Sequence, residues 1–175
     1  MAHLLWDPSR DNDALIAEFV EGYYGPAAPH LMRYLDIMDR AVQDSRTRLT
    51  CFVPTTTGWL SLPALNEATQ ALRDALAAVG ADATLNARVR RFSLPVQNVW
   101  LSRYHELRRE AEATGQPFIG PDNAADGYAA FEAALTEFGT EFYGEGRPLD
   151  GYLPALKRRC APRKEPTPPD ECAGL

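Results

Sequence analysis

The chain has 175 residues, enough for one domain or for one domain with a tail, and a domain of this size buries roughly 70% of the surface its unfolded chain exposes. Its 45% hydrophobic and 10% aromatic residues are ordinary for a globular protein. A net charge of -6 excludes a general nucleic-acid binder, which carries a basic face, and the absence of any run of about 18 apolar residues predicts no membrane-spanning helix.

The opening block, from Leu4-Leu5-Trp6-Asp7-Pro8 to Tyr23-Tyr24-Gly25-Pro26-Ala27-Ala28-Pro29, has the character of a seam between two structural units, and suggests a piece of a larger protein. Within it, Leu15, Ile16, Phe19, Val20 and Tyr23 recur at helical spacing and predict one buried apolar face. Asp11 or Asn12 can cap this helix by accepting from an early backbone amide. Gly25 can end it in the left-handed conformation, and Pro26 cannot extend it. A second helix is expected from about Ala27, with Pro29 tolerated in its first turn and Leu31, Tyr34, Leu35, Met38 and Val42 inward.

From Arg46 to Leu60 the helical pattern breaks. Thr50, Phe52, Val53 and Thr55-Thr56-Thr57 favour a loop with one short extended stretch. A third helix is predicted from about Leu62 to Val79, burying Leu65, Ala68, Leu72, Leu76 and Val79. Gly80 ends it and Asp82 caps the next. That fourth helix carries Leu85, Val89 and Phe92. Pro95 should kink or divide it, with Val96, Val99, Trp100, Tyr104 and Leu107 continuing the apolar face.

Residues 116–123 hold Pro117, Gly120 and Pro121 and predict a loop. Another helix follows from about Ala124 to Phe138, then a turn from Gly144 to Pro148, then a short helix with Leu149, Tyr152, Leu153 and Leu156 inward. The expected architecture is all-α. About six helices form an irregular bundle over residues 1–159, with a disordered Pro-rich tail over 160–175.

Chemistry-bearing constellations are sparse. His3, His30 and His105 lack metal-ligand spacing, so no metal site is expected, and no cofactor motif is present. Cys51, Cys160 and Cys172 are too scattered for a disulfide framework and are read as free thiols. The clusters Arg88, Arg90, Arg91 and Lys157, Arg158, Arg159 are read as solvated helix faces or helix ends. Asp36 and Asp39, three apart, are read as a solvated helix face rather than a catalytic pair. Asp7, between Trp6 and Pro8, suits a turn or cap; its functional reading is a polar group at the rim of a cleft. Tyr24 can close a helix end or touch a ligand. Trp59 lies off every apolar stripe, in a loop of Pro, Thr and Gly, and is the tryptophan best placed for ligand contact. The candidate substrate-binding residues are therefore Trp6, Asp7, Tyr24 and Trp59, with no catalytic residue assigned.

Leu5-Trp6-Asp7-Pro8, the acidic start at Asp11 and Asp13, Phe19 to Tyr23-Tyr24-Gly25, and Ala27-Ala28 to Tyr34 together resemble the region after the catalytic barrel in an uncharacterised bacterial family. That family is glycoside-hydrolase-like and akin to alpha-glucuronidases. The segment from Leu85 to Leu101, with Arg88, Arg91, Leu94-Pro95 and Trp100, looks like a later helix of the same region. The resemblance implies a parent with a sandwich-like domain, a barrel bearing the catalytic carboxylates, and this helical C-terminal region. The parent family is expected outside the cytoplasm. This chain, lacking a basic region and apolar core at its N-terminus, is expected in the cytoplasm.

The barrel's acids have no counterpart here, so the resemblance implies a non-catalytic accessory domain. Its partners would be a barrel subunit or a second copy, met through an exposed apolar face near Trp6, Tyr23 and Tyr24. The alternatives are a small carbohydrate hydrolase, sensitive to Asp7→Asn, and a sugar-binding module using Trp59.

Overall fold

The computed structural model describes residue 7 and residues 9–49, 55–144 and 146–161. Seven α-helices occur among them: α1 (Asn12–Tyr24), α2 (Ala28–Ser45), α3 (Leu62–Val79), α4 (Ala83–Ser102), α5 (Tyr104–Thr114), α6 (Ala124–Glu137) and α7 (Leu149–Cys160). The fold is all-α. Its small exception is an antiparallel ladder of Phe142–Gly144 with Arg147–Pro148, where a plain turn was expected. Trp6, Cys51, Cys172 and the extended stretch expected at Thr50 to Val53 lie outside the described residues. So does the expected tail from residue 162 onward. Cys160, placed in that tail by the sequence, closes α7 with its side chain buried.

Local chemistry sets the helix ends. Of the two candidate caps, Asp11 is the one used, accepting from the amides of Asp13 and Ala14. Gly25 ends α1 at φ +53°, a value that favours glycine. A short 3-10 turn, Gly25–Ala27, then leads into α2, with Pro29 in the first turn. Ser61 caps α3 and Asp82 caps α4. Pro95 neither divides nor ends α4. Its ring lies on the exposed side of the helix, where the carbonyl deprived of a partner can be hydrated. The chain breaks instead at Arg103, whose φ of -114° and ψ of 13° leave the helical region.

Two hydrophobic clusters flank α4. The first joins Leu31, Tyr34 and Ile37 of α2, Leu65, Ala68 and Leu72 of α3, and Val89, Val96 and Trp100 of α4. The second joins Leu94 and Leu101 of α4 with Tyr128, Phe131 and Leu135 of α6 and Leu149, Leu156 and Cys160 of α7. The α2 stripe is rotated from expectation. Ile37 and Ala41 are buried, while Leu35, Met38 and Val42 are half-buried. The cation cluster on α4 also differs from a solvated face. Arg90 makes a two-pronged pair with Glu137 of α6 at 2.8 and 2.6 Å, and Arg88 donates to the Tyr23 carbonyl at 2.7 Å. Lys157, Arg158 and Arg159 do sit exposed in the last turn of α7.

Residues 116–123 form a strap across the first cluster rather than a free loop. Asn66 of α3 donates through its side-chain amide to the Pro117 carbonyl at 2.7 Å and accepts from the Ile119 amide at 3.3 Å. The Tyr104 hydroxyl donates to the Asp122 carbonyl. Phe118 meets Trp100 edge-on at 4.9 Å. The backbone at Gly120 lies so close to the Trp100 ring that a Cβ there would fall 2.5 to 2.9 Å from its carbons.

Two outcomes follow in urea denaturation. Gly120→Ala should lose about 1–3 kcal/mol, because indole and strap cannot both keep their places. Gly22→Ala, where a Cβ meets nothing within 4 Å, should gain about 0.5–1 kcal/mol. Alkaline pH tests the second cluster. The Tyr128 phenol is pushed up to about 12, first by burial, then by its hydrogen bond to Glu132 and that carboxylate's charge. A phenol whose pKa is raised on folding stabilises the native state fully below its ordinary 10.0, and the contribution is lost as pH climbs through about 12. The urea midpoint should fall across that window, and less steeply in Tyr128→Phe.

Candidate functional site

The residues singled out in the sequence are not gathered at one place. Asp7 is exposed, and its carboxylate accepts from the Ser9 hydroxyl at 2.6 Å and the Ser9 amide at 3.1 Å. These bonds hold its carboxyl below the usual range. The arrangement is a local turn leading into the Asp11 cap, which is the structural role foreseen for it. Tyr24 is half-buried at the end of α1, edge-on to Phe92 at 5.6 Å, and burial pushes its phenol up. Its ring packs against the first cluster.

Trp59 is different. It is half-buried and lines an open cleft of about 430 Å³ between α2, α3 and its own loop. Ile37, Ala41 and Ala64 give that cleft apolar wall, and Arg40, Asp44 and Glu67 bring charge to it. Arg40 and Glu67 face each other across the helices at 3.7 Å. Both are well exposed, so this pair contributes little to stability. Neither Asp7 nor Tyr24 lines the cleft.

The loop that presents Trp59 is held from beneath by a residue the sequence reading passed over. Arg103, only 7% exposed, stands at the break between α4 and α5. Its guanidinium donates to the Leu60 carbonyl at 2.6 Å and to Glu106 at 2.7 and 3.1 Å, with a longer contact to Thr56. The charge is therefore paired and hydrogen-bonded, the condition for tolerating burial. The usable signal was Glu106 three residues on, at ion-pair spacing along a helix. Nothing local foretold the bond to Leu60, 43 residues away. Arg40, Asp44 and Glu67 were equally hidden, since their cleft exists only where α2 meets α3.

The second surface feature is α1 itself. Of its expected buried face only Val20 is buried. Ile16 is 37% exposed, Phe19 60% and Tyr23 40%, because α1 packs by one edge and no described element covers the other. Phe19 and Tyr23 stack at 5.4 Å, with the Arg88 guanidinium 4.1 Å from the Tyr23 ring centre. From Tyr23 the rings run inward through Tyr24 and Phe92 to Tyr34, each step 4.9 to 5.6 Å.

Among the described residues no three His, Cys, Asp or Glu side chains converge as metal ligands, and no helix is long and apolar enough to cross a membrane. A family model described as Domain of unknown function (DUF4838) matches residues 1–36, which hold the opening block, α1 and the first half of α2. No curated protein and no solved structure matches the chain.

Replacing Arg103 by Met should leave the Leu60 carbonyl buried without its donor. The expected loss is about 1–3 kcal/mol in chemical denaturation. It should come with a red-shifted tryptophan emission component that is absent when Trp59→Phe is added.

Proposed function

We propose that this chain is a non-catalytic helical accessory domain of a carbohydrate-active, glycoside-hydrolase-like protein, and that it packs on a catalytic barrel through α1. The observation that carries the reading is the exposed stripe of Ile16, Phe19 and Tyr23. It lies inside residues 1–36, the segment similar to a family domain. Side chains three and four apart on one helix face make a continuous apolar surface, and such a surface is stabilised by a partner that removes it from water. The ring chain from Phe19 to Tyr34 backs that surface with core, so it is stiff before a partner arrives. The carbohydrate part of the reading rests on the motif resemblance of the opening block.

The test uses the full chain as bait in extracts of its native source, with bound proteins identified by mass spectrometry. A glycosidase-like barrel chain should be recovered by the wild type and lost with Phe19→Glu. Phe19 is exposed and gives up only its stack on Tyr23, so that variant should keep its stability within about 1.5 kcal/mol. A clean monomer that retains no glycosidase-like chain sinks the proposal.

One observation favours a second reading, a sugar-binding module. Among the described residues Trp59 lines the cleft as its one aromatic residue, with Arg40, Asp44 and Glu67 as charged groups around it. An apolar face ringed by a few polar groups is what orients a ligand. Oligosaccharides should then quench tryptophan emission in the wild type and not in Trp59→Ala.

A further inference from the structure

A second cleft of about 350 Å³ lies between α3, α4 and α6, beside the strap. Its size sits at the small end of ligand sites, roughly 300–1,000 Å³. Leu72, Leu76, Val96, Trp100, Ile119 and Pro121 give it a largely apolar wall.

Most of the polar atoms set into that wall are already hydrogen-bonded to nearby groups. The Trp100 indole N–H donates to the Thr69 hydroxyl at 2.8 Å, which donates to the Leu65 carbonyl at 2.7 Å. The Gln97 amide donates to the Ser93 hydroxyl, which donates to the Arg90 carbonyl. A guest's inner part therefore meets mainly carbon. Of the described residues, Arg73 is the one charged residue that lines the cleft. It is exposed and donates once, to the Ile119 carbonyl at 2.7 Å. Among the described residues no carboxylate pairs with it.

The cleft is also preformed. Gly120 lies flush on the Trp100 ring. At Gly127 a Cβ would stand 2.8 Å from the Pro121 Cβ, so strap and α6 meet without slack. Asn66 fixes the strap from the other side. Little ordering is left for a ligand to bring about, and ordering is a main cost of binding.

We propose that this cleft binds a small amphipathic carboxylate, with its apolar tail between α3, α4 and α6 and its carboxylate on the Arg73 guanidinium. A guanidinium holds a carboxylate by paired N–H donors, which a neutral head group cannot exploit.

The test is titration of the full chain, followed by amide chemical shifts, with octanoate, octanol and acetate as probes. Octanoate should cause saturable shifts centred on Arg73, Ile119, Gly120 and Ala130. Octanol, which lacks the charge, and acetate, which lacks the tail, should each bind at least about tenfold more weakly. Arg73→Gln should weaken octanoate by about tenfold and leave octanol unchanged, which also reports that the cleft keeps its shape. Ala130→Leu adds bulk at an exposed wall position of α6 and should block both long-chain probes. Equal affinity for octanoate and octanol, or indifference to Arg73→Gln, overturns the carboxylate assignment. Shifts centred elsewhere, the absence of saturation, or indifference to Ala130→Leu overturns the cleft as the site.

Discussion

Everything in this molecule leans on α4 being buried along two faces at once. Val89, Val96 and Trp100 point into one cluster, and Leu94 and Leu101 into the other. A helix apolar on one stripe can close only one core; a helix with two stripes can be a party wall. α2 and α3 then pack on one side, and α6 and α7 on the other. Even the helix's cations serve this arrangement, since Arg90 crosses to α6 and Arg88 holds the end of α1. The Trp59 cleft rests at α4's far end, through Arg103, and the second cleft opens beside its middle.

This geometry separates the two surfaces on which the proposals rest. The α1 stripe gets its stiffness from rings that lead to Phe92 on α4, while the Trp59 cleft depends on the α2–α3 pair and on Arg103. A partner could cover α1 and leave the cleft open. An accessory domain that both attaches to a barrel and touches a sugar would need that independence, and so the two readings of the chain are compatible in space.

What could be read from the sequence was local. Asp11, Gly25, Pro29, Gly80 and Asp82 act through their own backbone neighbours, so the ends of α1, α3 and the start of α4 were legible. Periodicity located the apolar face of α3, where of the five expected residues only Leu76 is half-buried rather than buried. It failed on α1, because a repeat of apolar residues says that a face exists and not that anything covers it. It failed by one position on α2, where Ile37 and Ala41 turned inward against α3. Pro95 leaves α4 undivided, because whether a helix survives a proline depends on which side faces water. The strap was legible as a loop from Pro117, Gly120 and Pro121, but its bed on Trp100 is a long-range fact. Of the candidate site, Trp59 was visible as a residue off every stripe. Its charged neighbours come from two other helices and left no trace in spacing.

Cys160 gives the party wall a built-in reporter. Its thiol is buried 3.7 Å from the Leu101 carbonyl, and burial raises its pKa, so attack by an alkylating reagent waits for α7 to lift off α4. Peptide-resolved labelling of that thiol therefore times the opening of one half of the molecule. Amide exchange along α2 and α3 times the other. If the two clocks run together, α4 makes a single cooperative unit of the chain; if the thiol runs faster, the α6–α7 half is a foldon that detaches while the half bearing α1 and Trp59 stays native.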